Sequence, residues 1–251
     1  MDLEKVLGYC YVCAWSISIY PPLWNNWKRR SASAMSLDFV MLNSVGYFYL
    51  ICSLWLQLFH WQETEMEDNS LRPKVTHFDF WYCLHGFVMN LVLTTQVLWG
   101  TTIWKFQGGA ARMKAVYRRV LLGSILMAVI LLIQFVYQNT IQGWSNQNTL
   151  SFCNHLFLLK ISMSLLKYIP QVKHNYDRKS MRGFPIQSVM CDVLGGVCSM
   201  WQLAIQLSKE ARGFTFVALI ANFGKIGIAI VTLFFNFIYI SQWIIYGEQS
   251  K

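Results

Sequence analysis

The chain has 251 residues, of which 55% are hydrophobic, 16% aromatic and only 13% charged. A soluble domain carries about a quarter charged residues, so this composition excludes an ordinary water-facing surface. The net charge of +9 does not indicate nucleic acid, because its bases are spread over separate loops rather than gathered on one face.

Seven apolar blocks follow in chain order, roughly 6–27, 37–61, 78–104, 115–138, 150–172, 184–207 and 217–246. Each is long enough to cross a hydrocarbon core, which takes about 20 helical residues. None alternates with the period of two that a membrane barrel requires. The expected fold is an all-α integral membrane protein with seven transmembrane helices. The first block follows the leader MDLEK and has no cleavage site after a short core, so it is expected to stay as a span. The seven cysteines lie in or beside the apolar blocks and read as packing residues. No metal set is expected among them.

Charge sorts by loop. After the first, third and fifth blocks come Lys28, Arg29, Arg30, then Lys105, Arg112, Lys114, Arg118, Arg119, then Lys173, Arg178, Lys179 and Arg182, with Asp177 as their one acid. The opposite side carries Asp2, Glu4, Glu63, Glu65, Glu67, Asp68 and Glu210. That asymmetry predicts a lumenal N-terminus and a cytosolic C-terminus.

Sliding the sequence on itself by 149 residues brings YPPLWNNWKRRS, from Tyr20, onto IPQVKHNYDRKS, from Ile169. Pro21 meets Pro170, Asn26 meets Asn175, Val40 meets Val189, Asn43 meets Asp192, Gly46 meets Gly195 and Gln57 meets Gln206. Spans one to three and five to seven are therefore parallel repeats, and span four restores the orientation between them. The expected units are a first bundle over 1–104, a linker over 105–140 and a second bundle over 141–251. A duplicated bundle that merely packs is the plainer alternative, although the recurring residues are polar or helix-breaking.

Each repeat carries a proline near the basic end of its first helix, Pro21 and Pro22 in one, Pro170 followed by Gln171 in the other. Proline removes a backbone donor and costs roughly 3 kcal/mol inside a helix, so matched breaks read as paired hinges, with a static kink as the alternative. Ionisable groups also interrupt the spans: Asp79, Lys160, Lys167, Asp192 and Lys225. Such residues usually face a cavity and do work. Asp192 is the strongest candidate, a carboxyl able to take a proton from an acidic lumen. Asp79 is also compatible with an interfacial position, Lys167 with snorkelling to the cytosolic edge, and Lys160 has no assignment. Asp192, Lys225 and the amides Asn26, Asn43 and Asn175 together suit a zwitterion, its carboxylate on lysine and its ammonium near the aspartate. No nucleophile–base pair or metal spacing appears in the spans, so an enzyme is not expected.

The segment KYIPQVKHNYDRKSMRGFPIQSVMCDVLGG resembles the second loop of the PQ-loop transporters, in their cystinosin branch, and SLDFVMLNSVGYF, FDFWYCLH and KIGIAIVTLFFNF are similar to other segments of that branch. The resemblance implies two three-helix bundles joined by a linker helix. It also implies proton-coupled export of cystine, or a related amino acid, from a lysosome or vacuole to the cytosol. No cofactor is implied beyond the coupling proton, and no partner beyond the substrate and membrane lipid. It assigns proton coupling to Asp192 and Asp79, and substrate binding to Asn43, Asn175, Lys225, Lys167 and the position of Ser188. Three departures stand out: Pro21-Pro22 in place of Pro-Gln, Ser188 in place of an asparagine, and Asn236 in place of an acid. The alternatives are transport of another amino acid or a sugar, and a cargo receptor or scaffold that translocates nothing.

Overall fold

The computed structural model describes residues 3–32, 36–62, 73–107, 112–179, 181, 185–209 and 215–247, and for residues 170, 171, 174, 177 and 178 the description is confined to the backbone. The loop acids Glu63, Glu65, Glu67, Asp68 and Glu210, with Arg182, lie outside the described residues.

The described residues form helices α1 (Leu3–Ser18), α2 (Tyr20–Arg29), α3 (Leu37–Phe59), α4 (His77–Leu98), α5 (Ala115–Gln142), α6 (Asn146–Arg178), α7 (Ile186–Ser208), α8 (Phe216–Ala221) and α9 (Phe223–Tyr246). With α1 and α2 taken as one, six of them are long and apolar enough to cross a membrane. The seventh span, α4, has the length but carries Asp79, His85, Asn90 and Gln96 along its course. The fold is all-helical, as composition and block length predict, because a backbone in lipid has to satisfy its own hydrogen bonds.

Within each half the third helix packs on both the first and the second: α4 on α1 and α3, α9 on α6 and α7. The most extensive contacts cross between halves, where α3 lies on α6 and α1 on α7. Matched glycines set those crossings. A Cβ at Gly46 would stand 3.0 Å from Lys160 Cδ, and one at Gly195 would stand 2.6 Å from Trp15 Cδ1. Close backbone approach is the usual reason for glycine at a membrane helix interface. The linker α5 leans on the α3–α6 side through Leu42, Tyr49, Leu121, Phe135, Phe152 and Leu156, and turns Leu122, Leu126, Ile130 and Ile133 outward.

The two proline motifs differ in backbone. The first helix is interrupted at Ile19, and Pro21 and Pro22 fall in the opening turn of α2, where a missing amide is harmless. The second runs unbroken from Asn146 to Arg178, straight through Pro170 and Gln171. Two adjacent prolines delete two donors and force the helix to restart, while one deletes a single bond that a long packed helix tolerates. The symmetric pair of interruptions expected from the sequence is therefore an interruption in the first half only.

Candidate functional site between the two halves

The third helices also repeat, at a spacing of 146 rather than 149, which aligns Asp79 with Lys225, Asn90 with Asn236 and Gln96 with Gln242. That three-residue slip hides the match from a constant-offset search. Its consequence is a pair of equivalent polar clusters, one in each half.

In the first cluster, Asn43 on α3 is buried and donates Nδ2 to Asn90 Oδ1 at 2.7 Å, while its Oδ1 accepts from Lys167 Nζ at 2.6 Å. Asn90 passes the chain on, donating to Ser44 Oγ at 2.6 Å and to Val40 O at 3.3 Å. Lys167 comes from α6 of the other half, with its ammonium over the rings of Tyr168 (4.8 Å) and Phe39 (5.2 Å). It reaches inward to Asn43, so the snorkelling alternative is not what the side chain does.

The second cluster has Asp192 where the first has Asn43, Ser18 where it has Lys167, and Asn236 where it has Asn90. Asp192 on α7 is partly accessible and is faced by Ser18, Lys167 and Asn236. Its backbone carbonyl accepts from Trp15 Nε1 at 3.1 Å, across the α1–α7 crossing. Asn236 is 1% exposed, and its Nδ2 faces the Asp192 carboxyl without a hydrogen bond of ordinary length. An unmet buried donor costs about 1–3 kcal/mol, so this cluster, unlike its counterpart, keeps polar capacity in hand beside an acid and a base.

Lys225, which the sequence groups with Asp192 around one cavity, is bound to Asp79 instead. Its Nζ lies 3.3 Å from Asp79 Oδ1, both side chains nearly buried, and donates to Gln202 Oε1 at 3.0 Å. Asp79 is the third residue of a capping box at the start of α4: its Oδ2 accepts from Thr76 N and Thr76 Oγ1, both at 2.8 Å. Its Oδ1 accepts from Tyr11 OH at 3.0 Å. With four partners this carboxylate is a clasp between α1, α4 and α9. The base that faces Asp192 is Lys167.

Further bonds stitch the halves at the same end as Asp79. Glu4 accepts from Lys209 Nζ at 2.8 Å and from Gln206 Nε2 at 2.9 Å. Asn146 and Gln62 exchange a pair of bonds, at 2.7 and 3.0 Å. Lys74 N donates to Asn222 Oδ1 at 2.7 Å. At the basic end the backbone bonds Gln107 to Arg30 O and Met181 to Gly247 O stay within a half.

Two further expected site residues are buried. Asn175 is 1% exposed and donates to Gln242 Oε1 at 3.2 Å. Ser188 stands one helical turn before Asp192 on α7, with its Oγ unpartnered. The sequence reading passed over Tyr11, Tyr47, Asn90 and Gln202, and left Lys160 without a role. Lys160 matches Tyr11 at the 149 spacing, is buried, and holds its ammonium 4.5 Å over the ring of Tyr47. The Asn90–Asn236 match was the signal that could have found this layer.

A model of the PQ loop repeat matches residues 3–63 and 152–212, two stretches offset by the same 149 residues as the internal repeat. The chain is 54% identical over 251 residues to the cystine transporter of Saccharomyces cerevisiae, which covers all of this chain and 96% of that one. The chain belongs to the PQ-loop family. Among other PQ-loop relatives, the cystinosin of Bos taurus is 28% identical over 96% of this chain and 62% of its own length. The cystinosin homolog of Arabidopsis thaliana is 26% identical over 98% of this chain and 87% of its own. This PQ-loop chain is therefore cystinosin-like, and a multi-pass membrane protein.

Proposed function

We propose that this protein exports cystine from an acidic organelle, lysosome or vacuole, to the cytosol, coupled to protons and by alternating access. The full-length likeness to a protein named cystine transporter carries the substrate. The carboxyl of Asp192, held between the halves opposite Lys167, carries the coupling. The N-terminus faces the lumen in this reading, as the loop charges suggest.

Asp192 takes a proton from the lumen, which removes a charge that opposes occlusion. The loaded halves then rock about the α1–α7 and α3–α6 crossings, and loss of the proton on the cytosolic side releases the substrate. Lys167, with Asn43 behind it, offers a substrate carboxylate an ammonium, and Asn236 offers its Nδ2 donor beside Asp192. The clasps at the Asp79 end support a conformer closed toward the lumen, because bonds there cross between the halves. Each pH unit supplies about 1.4 kcal/mol per proton, and a positive-inside potential adds about 2.3 kcal/mol per 100 mV, so one proton gives a substantial bias.

The test is cystine flux in vesicles as the pH on the lumenal side is varied. Asp192→Asn is expected to abolish the stimulation by acid while the protein still assembles. Acid stimulation that survives in this variant refutes the assignment of the coupling group, and a wild-type chain that moves another amino acid but not cystine refutes the substrate.

A further inference from the structure

One pair of matched contacts lies apart from the site described above, at the basic end. Gln96 on α4 donates Nε2 to Leu23 O at 3.4 Å and accepts at Oε1 from Asn26 Nδ2 at 3.2 Å. Gln242 on α9 donates Nε2 to Val172 O at 2.9 Å and accepts at Oε1 from Asn175 Nδ2 at 3.2 Å. Leu23 and Val172 are each two residues beyond the matched prolines, Pro21 and Pro170, and Asn26 and Asn175 are three residues further on. All four amide side chains are buried, between 1% and 7% exposed.

The chemistry explains why glutamine stands there twice. Bridging a backbone carbonyl and an asparagine amide needs a donor and an acceptor on one neutral side chain, which an amide has and a carboxylate or an aliphatic chain lacks. The local backbones differ, since α2 is a separate short helix and the end of α6 continues its helix, yet the two bridges share the same register. A contact that merely follows from a break in the helix would not recur where the helix is unbroken.

We propose that these bridges are latches that fasten the chain beyond each proline to the third helix of its own half. Gln96, Gln242, Asn26 and Asn175 are then positioning residues for the transport cycle. The inference rests on the transport reading for its kinetic consequence alone. The segment past the proline is not free to swing by itself; opening at the basic end moves α2 with α4, and the end of α6 with α9. The second half is the stiffer, since Tyr239 OH on α9 also donates to Tyr168 O at 3.4 Å, on the other side of Pro170. In the first half the position matching Tyr239 is Leu93, which has no hydroxyl, and the helix is already broken at Ile19.

Gln96→Met and Gln242→Met remove both bonds of a latch with little change in length. In vesicle flux each is expected to lower Vmax about threefold to tenfold, the scale of one or two interhelical bonds in a membrane. KM stays within about twofold, and Gln96→Met is the more severe. Asn175→Ser is expected to follow the same pattern, and the double variant Asn175→Ser/Gln242→Met to be no worse than Gln242→Met. A large rise in KM at Asn175 with Vmax unchanged makes Asn175 a substrate contact and overturns the latch, as does additivity of the pair. A second arm needs no substrate: amide hydrogen exchange of the detergent-purified protein. In Gln242→Met, residues 172–179 and 238–246 are expected to exchange faster together, and Gln96→Met to do the same for 20–29 and 91–98. Acceleration of only one segment of a pair, or of neither, overturns the latch even if the wild-type protein moves no cystine. Should a methionine variant fail to accumulate, Asn26→Ser and Asn175→Ser carry the exchange measurement.

Discussion

Asn43 in the first half and Asp192 in the second occupy the same place in the repeat, and their surroundings differ in one consistent way. Around Asn43 every polar group is spoken for: Asn90 and Lys167 bind its amide, and Asn90 continues to Ser44 and Val40. Around Asp192 a serine replaces the lysine, and Asn236 keeps an unbonded donor in a buried position. One half has turned the inherited position into fixed scaffold and the other has kept it available. Duplication supplies two equivalent positions, and only the second of them carries an acid.

The same contrast orders the expected effects of substitution. The largest is at a matched pair whose members bind each other, Asp79 and Lys225. Asp79→Asn leaves a nearly buried ammonium without its counter-charge and is expected to cost about 3–5 kcal/mol. Adding Lys225→Met should recover most of that loss in a thermal unfolding series in detergent; failure to recover would assign the cost to the α4 cap instead.

Next come the matched glycines. Gly195→Ala sets its methyl 2.6 Å from the Trp15 ring, which is also held by its bond to the Asp192 carbonyl. Gly46→Ala meets the flexible chain of Lys160 at 3.0 Å. The first is expected to destabilise by about 1–3 kcal/mol and the second by clearly less. Equal losses of melting temperature would mean that both crossings are equally rigid.

Smallest is the asparagine pair. Asn90→Leu strands Asn43, Ser44 and the Val40 carbonyl, and should cost about 1–3 kcal/mol. Asn236→Leu removes an amide that faces Asp192 without an ordinary hydrogen bond, and should cost less stability than Asn90→Leu while lowering cystine flux. A reversed order would show that the unused donor belongs to the first cluster's kind of scaffold after all.

Much of this was legible in the chain itself. Block length and the scarcity of charge dictate helices that span, because lipid offers the backbone no partners. The 149-residue offset places Pro21 over Pro170 and Asn43 over Asp192 with no structure at all. Asp192 and Lys167 are legible as costly residues inside apolar runs, since no neighbouring charge in sequence could neutralise them. Which base faces which acid was not legible. Lys225 and Asp79 are 146 residues apart and belong to different halves, and a sequence offers no distance between them. Asn175 likewise shares a motif with Pro170 and yet points to Gln242, because helical phase and the position of α9 decide where an amide goes.

The sequence by itself determined the membrane class, the repeat and the inventory of ionisable groups inside the spans, which follow from composition and linear spacing, and its motifs carried the family resemblance. Tertiary structure alone decided the pairing of those groups, the continuation of the helix through Pro170 and the amide bridges at the basic end. Those depend on packing between helices far apart in the chain, where an ångström of approach determines whether two polar atoms bond.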